Sequence, residues 1–175
     1  MDTSNITIKT DRLILKGISL DYKDEIFKEF TPEIVFYMFP KSPDKIEETI
    51  EFVETSVDKN KAGSDFATVI IDKKNGEFIG CGGLHHIDSS TPELGIWIKK
   101  SSHGQGYGKE AIVALKGWAD KNIKYEYILY PVVDENIPSR KIPEFLGCKI
   151  EREYDKLSLN GRKHHLVEYR IYPLK

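Results

Sequence analysis

The chain has 175 residues, of which 39% are hydrophobic and 31% are charged, a composition that suits a protein with one sizeable core. Its formal net charge of −2 lacks the basic excess that nucleic-acid-binding domains carry. It has two cysteines, no signal-like apolar segment at its start, and no apolar run of the roughly 20 residues that span a membrane. We therefore expect a single domain over residues 1–175 in the cytoplasm, without a nucleic-acid or membrane partner.

The first part of the chain predicts one strand followed by three helical segments. The expected bounds are Ile6–Ile18 for the strand, then Asp21–Phe30, Thr31–Met38 and Pro43–Asn60 for the helices. Thr31-Pro32 and Ser42-Pro43 each place a capping residue before a proline, which is a common helix start. Gly63 follows the third segment, at a position where a glycine often ends a helix.

The remainder predicts a sheet with two more helices. Strands are expected at Phe66–Asp72, Glu77–Ile87, Glu93–Lys100, Tyr125–Val133, Cys148–Lys156 and Arg162–Tyr172, and helices at Gly106–Asn122 and Asn136–Leu146. Asn75-Gly76 favours a hairpin between the first two of these strands. Pro131 cannot donate to a ladder, so its strand should part from a neighbour there, and Pro143 predicts a short or kinked helix. This order predicts an α+β, or mixed α/β, fold with a mostly antiparallel sheet.

A glycine-rich turn, Ser101–Tyr107, joins the central strand to the long helix. Gly104, Gly106 and Gly108 permit positive φ and let another molecule approach the backbone closely. The first turn of a helix leaves N–H groups without partners, and the helix dipole adds partial positive charge there. The turn therefore predicts an anion site suited to a phosphate or pyrophosphate, to which Lys109 would add a full charge.

The residues of the turn leave other interpretations to weigh. A Walker phosphate loop is disfavoured because Glu110, rather than Ser or Thr, follows Gly108-Lys109. A Rossmann dinucleotide site is disfavoured because the spacing is G-x-G-x-G and no parallel repeat of strands and helices follows. A loop that merely connects a strand to a helix stays open on the turn alone, because glycine loops are common.

Motifs spread over nearly the whole chain form an ordered set. They are Thr10–Leu15, Phe78–Leu84, Glu93–Ile98, Gly104–Ala111, the group Asn136, Ser139 and Arg140, and Phe145–Cys148. This set resembles the GNAT superfamily of acetyl-CoA-dependent N-acetyltransferases, and within it the branch that contains the ribosomal-protein N-terminal acetyltransferases. The resemblance implies a GNAT-like central sheet of about 6–7 strands, splayed in the middle, with helices on both faces.

The resemblance also implies that acetyl-CoA is the cosubstrate, with its pyrophosphate on the glycine turn and its pantetheine arm between two splayed strands. The implied cofactor-binding residues are Ile96, Trp97, Ile98, His103, Gly104, Gln105, Gly106, Tyr107, Gly108, Lys109, Asn136, Ser139 and Arg140. His103 departs from the Arg or Gln that the family places there. Asn136 could instead cap a helix, and Arg140 could simply lie on the surface. No metal is implied.

The implied chemistry is attack of a neutral amine on the acetyl thioester. It needs a base for the ammonium proton and an acid for the leaving thiolate. We predict Glu93 as the base, acting through water, and Ser139 as the acid. The alternatives are a solvated strand-end charge for Glu93 and a hydroxyl that caps backbone groups for Ser139. Phe36–Phe39 is either packing or an acceptor wall, and His85 or His86 could border the acceptor.

The leading prediction is therefore an N-acetyltransferase that moves an acetyl group from acetyl-CoA to a primary amine, either a protein N-terminus or a small molecule. Members of the resembling family are often monomers or dimers, so we expect a monomer or homodimer. The alternatives are a catalytically silent CoA-binding regulatory module and a nucleotide-binding domain that uses the same turn.

Overall fold

The computed structural model describes residues 1–174, which form one sheet with helices on both faces. The strands are β1 (Thr7–Lys9), β2 (Leu13–Gly17), β3 (Phe66–Asp72), β4 (Phe78–His85), β5 (Glu93–Ile98), β6 (Ile128–Val133), β7 (Ile150–Leu157) and β8 (Lys163–Ile171). The helices are α1 (Lys23–Glu29), α2 (Ile46–Ala62), α3 (Tyr107–Asn122) and α4 (Ile137–Phe145). Short 3₁₀ turns lie at Leu20–Tyr22, Ile34–Tyr37 and Lys100–Ser102.

The eight strands are ordered β1-β2-β3-β4-β5-β6-β8-β7. Neighbouring strands within residues 1–174 pair antiparallel, except for β5 and β6, which run parallel. β5 and β6 share a single register pair, Glu93 with Leu129, whereas β6 pairs with β8 from Ile128 to Val133. The sheet is thus mostly antiparallel and splayed in the middle. This confirms the predicted fold class, with eight strands rather than six or seven.

The additional strand comes from the N-terminal segment. The prediction of one strand over Ile6–Ile18 is wrong, because the segment folds back on itself as β1 and β2. Thr10 closes the turn between them. Its Oγ1 accepts a hydrogen bond from the Leu13 N–H at 2.8 Å, and its own N–H donates to the Leu13 carbonyl at 2.9 Å.

Two predicted helical segments change their bounds or type. α2 begins at Ile46 rather than Pro43, because Lys45 keeps an extended backbone with φ −138° and ψ 150°. The helix ends before Gly63, whose φ of 76° is left-handed, as the glycine signal predicts. The segment expected to be a helix ending near Met38 forms a 3₁₀ turn instead.

Alternation of side chains along the strands divides the core between the two faces of the sheet. α3 covers one face, where Ile112 and Leu115 are buried in a cluster with Leu15. α1 and α2 cover the other face, where Val53 is buried with Val69. Each buried aliphatic side chain of this size stabilises the fold by roughly 1.5–3 kcal/mol. The predicted placement of helices on both faces is confirmed.

Candidate active site

A cavity of about 490 Å³ opens where β5 and β6 diverge. Glu93–Trp97 of β5 and Tyr130–Val133 of β6 line it, and Asn136 and Ser139 reach it from the start of α4. Its other walls include Phe30, Tyr37, Met38, Phe39, Phe52, His85 and Tyr154. The cavity therefore brings together five predicted site residues: Glu93, Ile96, Trp97, Asn136 and Ser139. The glycine turn lies outside its lining.

The β6 side of the gap carries the proline that the sequence singles out. The Leu129 N–H donates to the Pro92 carbonyl at 2.8 Å, and the ladder between β5 and β6 ends there. Every second residue of a strand directs its N–H to the same side. Pro131 is two residues further on, so its missing N–H would have faced the gap. The predicted parting of the strands near Pro131 is confirmed, and pairing with β8 loses no bond.

The β5 side of the gap offers free backbone groups at alternate positions. The Lys99 N–H donates to the Ile79 carbonyl of β4 at 2.8 Å, so Trp97 also directs its backbone groups toward β4. Ile96 and Ile98 alternate with Trp97 and face the gap. A ligand chain in the gap could pair with the backbone of Ile96 and with the Ile98 N–H, whereas Trp97 offers it a side chain.

The glycine turn has the backbone shape that its composition predicts. Gly104 and Gly106 have φ values of 75° and 78°, and Gly106 is the N-cap of α3. A Cβ at Gly104 would meet no atom within 4 Å, so the φ angle rather than crowding favours glycine there. The Lys109 Nζ lies 4.3 Å from the centre of the Phe145 ring. Its charge is therefore held between the turn and the end of α4.

An ion pair that sequence reasoning missed braces the turn against the N-terminal hairpin. Arg12 donates from Nε to Glu110 Oε2 at 2.7 Å and from Nη1 to the Gln105 carbonyl at 2.9 Å. Thr10 Oγ1 donates to Glu110 Oε1 at 2.6 Å. Burial opposes ionisation of Glu110, but the hydrogen bonds from Thr10 and Arg12 outweigh it and lower the pKa. Tyr107 packs in the same place, its ring 4.7 Å below the Arg12 guanidinium.

The His103 ring is turned back onto β5. Its Nε2 lies 2.7 Å from the Ile98 carbonyl oxygen, and because a carbonyl can only accept, Nε2 carries the hydrogen. The imidazole is therefore hydrogen-bonded to the Ile98 carbonyl, one of the backbone groups that face the gap. The neighbouring Gln105 amide lies 3.5 Å from the Ser101 carbonyl.

A pair of hydroxyl groups lies at the start of α4, which is short, as Pro143 predicts. Asn136 caps this helix, because its Oδ1 accepts from the Ser139 N–H at 3.4 Å. The Ser139 Oγ is 3.0 Å from the Tyr130 hydroxyl. Burial raises the pKa of Tyr130 to about 12, against an opposing effect of the bond with Ser139. Both residues line the cavity, and the strand pattern around Tyr130 gives no sign of this role.

Arg140 is engaged by protein groups. Its Nη1 lies 2.5 Å from Asp134 Oδ1, and its Nε donates to the Tyr169 hydroxyl at 3.2 Å. The hydrogen bond with Tyr169 and the charges of Asp134 and Glu144 raise its pKa, against an opposing effect of burial. The side chain thus ties α4 to β8 and to the end of β6, and it would reach a phosphate only by leaving these partners.

Glu93 lies at the start of β5, directly opposite His85 of β4, and both line the cavity. The His85 Nδ1 is 2.9 Å from Oδ2 of the buried Asp65. Asp65 and His85 are 20 positions apart, so no local motif announces the pair. The cavity is therefore lined by a carboxylate and an imidazole, Glu93 and His85, and by two hydroxyl-bearing residues, Ser139 and Tyr130.

Comparison with known proteins decides the family. A protein-family model described as an acetyltransferase (GNAT) domain matches residues 12–149. The chain belongs to the GNAT acetyltransferase family. A comparison with curated proteins found no match.

Solved structures of this family share the fold at low sequence identity. A "putative ribosomal-protein-serine acetyltransferase" from Vibrio cholerae has a TM-score of 0.82 at 19% identity, over 98% of this chain and 99% of that chain. Spermidine N-acetyltransferase from Vibrio cholerae, in complex with CoA and spermine, has a TM-score of 0.80 at 18% identity, over 93% and 96%. The microcin C7 self-immunity acetyltransferase, in complex with acetyl-CoA and AMP, has a TM-score of 0.80 at 20% identity, over 93% of each chain.

Residues 1–174 show neither a membrane-spanning helix nor a metal-binding cluster. In that part of the chain, no helix has both the length and the apolar character needed to cross a membrane. Nor do three or more His, Cys, Asp or Glu side chains converge there in a way that could hold a metal ion.

Proposed function

We propose that this protein is an acetyl-CoA-dependent N-acetyltransferase that acetylates a primary amine by direct attack in a ternary complex. The observation that carries the proposal is the cavity between β5 and β6, which places Glu93 and the Ser139–Tyr130 pair around one gap. Membership of the GNAT family and the CoA complexes of proteins with the same fold support it.

Acetyl-CoA would lie along the gap and the glycine turn. The pantetheine amides would pair with the backbone of Ile96 and with the Ile98 N–H, beside the Trp97 side chain. The pyrophosphate would rest on the turn and the start of α3, where backbone N–H groups are free. The other residues proposed to bind acetyl-CoA are His103, Gly104, Gln105, Gly106, Tyr107, Gly108 and Lys109 around the turn, with Asn136, Ser139 and Arg140 at the start of α4.

Glu93 and the Ser139–Tyr130 pair supply the proton transfers. Glu93 receives the proton of the ammonium group through water, and the neutral nitrogen attacks the thioester carbon. The C–S bond then breaks, and the Ser139 hydroxyl gives a proton to the leaving sulfur. Tyr130 stays protonated at neutral pH because burial raises its pKa to about 12, so it can return a proton to Ser139. The excess proton of the new amide nitrogen then restores the pair.

Direct attack is favoured over an acetyl-enzyme on this chain. Cys81 is the one cysteine that lines the cavity among the described residues, and burial raises the pKa of its thiol. A protonated thiol is a poor nucleophile because the thiolate is the reactive form. The acetyl group therefore passes straight to the amine in the proposed mechanism.

The acceptor is an amine that reaches the cavity past the aromatic wall at Tyr37–Phe39. Two solved structures with the same fold carry names with different acceptors, a ribosomal-protein serine and spermidine. An α-amine, with a pKa of about 7.7–8.0, needs less help from a base than an alkyl amine near 10.4. We therefore place a protein N-terminus ahead of a small amine. The cytoplasmic location and the monomeric or dimeric state stay predictions.

The test is release of CoA thiol from acetyl-CoA across a panel of N-terminal peptides and small amines. The wild-type protein should release thiol with at least one of these amines. Ser139→Ala should slow the release and leave the Kd of acetyl-CoA, measured by calorimetry, nearly unchanged. Tight binding of acetyl-CoA without thiol release from any amine would instead identify a catalytically silent CoA-binding module.

A further inference from the structure

We infer that the Asp65–His85 pair is the terminal acceptor of the amine proton, an inference that rests on the proposed acetyl transfer. His85 ends β4 and lines the cavity next to Glu93. Its side chain is 42% exposed, whereas that of Asp65 is 5% exposed. One partner is therefore open to the cavity, and the other is a shielded carboxylate behind it.

The buried carboxylate determines which ring nitrogen of His85 is free. Burial opposes ionisation of Asp65, but hydrogen bonds from the His85 ring and the His86 backbone N–H outweigh it and lower the pKa. An ionised carboxylate can only accept hydrogen bonds, so the His85 Nδ1 carries the hydrogen. The lone pair of the neutral ring is then on Nε2.

Nε2 lies over a glycine of the neighbouring strand. A Cβ at Gly95 would be 3.5 Å from the His85 Nε2, so glycine leaves the lone pair uncovered on that side. Gly95 itself lines the cavity. The acceptor nitrogen therefore lies at a cavity wall formed by Gly95, two residues from Glu93 on β5.

An imidazole suits this task better than a carboxylate does. Free carboxylates titrate near 4.3, imidazoles near 6.5 and α-amines at about 7.7–8.0, so an imidazole is the closer match to the amine. The charged groups around the ring are Asp65, Glu93 opposite on β5, and the Lys59 Nζ of α2, which lies 3.9 Å from Asp65 Oδ2. The other titratable groups that line the cavity are Tyr37, Lys41, Glu48, Tyr130, Tyr154, Lys156, His164 and the Cys81 thiol.

The proton balance of the reaction then closes. The ammonium group loses one proton through water to Glu93, which passes it on to the His85 Nε2. The nitrogen lone pair forms the C–N bond, and the sulfur leaves with the electron pair of the C–S bond and takes a proton from Ser139. The proton still in excess on the new amide nitrogen replaces the one that Ser139 and Tyr130 gave up. His85 releases its proton to solvent after each turnover.

Asp65→Asn distinguishes a role of the pair as a base from a role in packing. The His86 N–H donates to Asp65 Oδ1 at 3.1 Å, so the amide oxygen of the variant would stay on that donor. Its NH₂ group would then face the His85 Nδ1, which must accept. The ring hydrogen moves to Nε2, and the lone pair toward the cavity is lost.

The kinetic test compares four variants with spermine and a peptide that has a free alanine N-terminus as probe amines. His85→Gln and Asp65→Asn should each lower kcat/KM by about 100-fold or more, with the Kd of acetyl-CoA unchanged. The control is His165→Gln, because the His165 Nδ1 lies 3.0 Å from Asp155 Oδ1 but outside the cavity lining. It should keep the wild-type rate. Added imidazole should restore part of the rate of His85→Ala, which a purely structural role would not allow.

A second measurement needs no turnover. Nitrogen NMR of labelled histidine should place the hydrogen of His85 on Nδ1 in the wild type and on Nε2 in Asp65→Asn. An Nε2–H form in the wild type, or a full rate in His85→Gln, overturns this inference and leaves acetyl transfer intact. A wild-type protein that releases no thiol with any amine removes the proposed function and this inference together.

Discussion

The left-handed glycine at the start of α3 allows the effect of one substitution to be worked out. Gly106 has φ 78° and ψ 6°, and the nearest atom to a Cβ there would be Arg12 Nη2 at 3.6 Å, an ordinary contact. Alanine would therefore be strained rather than crowded, and an L-residue in this region costs about 1–2 kcal/mol. Gly106→Ala should lower the free energy of unfolding by about that amount. It should also raise the Kd of acetyl-CoA, because relaxation of the turn moves N–H groups away from the anion.

The same helix offers a matched control. Gly117 lies within α3, and a Cβ there would meet no atom within 4 Å. Alanine at a helical position of this kind should raise the free energy of unfolding by about 0.5–1 kcal/mol. Urea unfolding of the wild type and both variants measures the stabilities, and calorimetric titration with acetyl-CoA measures the affinities.

The two variants make the same chemical change and should move stability in opposite directions. Gly117→Ala should bind acetyl-CoA like the wild type. Equal stabilities of Gly106→Ala and Gly117→Ala, or undiminished affinity of Gly106→Ala for acetyl-CoA, would refute the reasoning that left-handed geometry builds the anion site.

Three further predictions concern other groups of the site. Tyr130→Phe should lower kcat about tenfold or more and leave the Kd of acetyl-CoA unchanged, and its effect should not add to that of Ser139→Ala, because the two hydroxyls act as a pair. His103→Ala should change that Kd by no more than about fivefold in calorimetry, since its ring makes one hydrogen bond to the backbone. Burial opposes ionisation of Glu110, but its hydrogen bonds outweigh this effect and lower its pKa. The carboxylate therefore stabilises the fold fully at a pH above the ordinary carboxyl pKa, near 4.3, and less at lower pH. In urea unfolding, the stability deficit of Glu110→Gln should be full at pH 7 and should shrink as pH falls below about 4.

Elements that depend on a local backbone preference could be predicted from the sequence. Gly76 turns the chain between β3 and β4 with a φ of 74°, and Gly63 ends α2 with a φ of 76°. The N-terminal hairpin could not be predicted, because its turn has no glycine or proline. It is stabilised by contacts with Glu110, about a hundred positions away in sequence.

The same distinction between local backbone preference and distant contacts applies to the site. The gap beside Pro131 and the bends at Gly104 and Gly106 follow from residues whose backbone chemistry is unusual, so the sequence indicates them. The partners of the reactive side chains could not be predicted in this way. Tyr130 meets Ser139 because β6 and α4 converge, and Asp65 meets His85 because two strands pair. Such contacts depend on how strands and helices come together in the fold, which no local pattern specifies.

The central claim is transfer of the acetyl group by direct attack within a ternary complex. A single-turnover reaction of the wild-type protein with acetyl-CoA and an amine peptide, followed by intact mass spectrometry of both peptide and protein, tests it most directly. We expect thiol release only when the peptide is present, with the acetyl group on the peptide amine and none on the protein. Thiol release without an amine, an acetylated protein intermediate, or bound acetyl-CoA that is never consumed would contradict it.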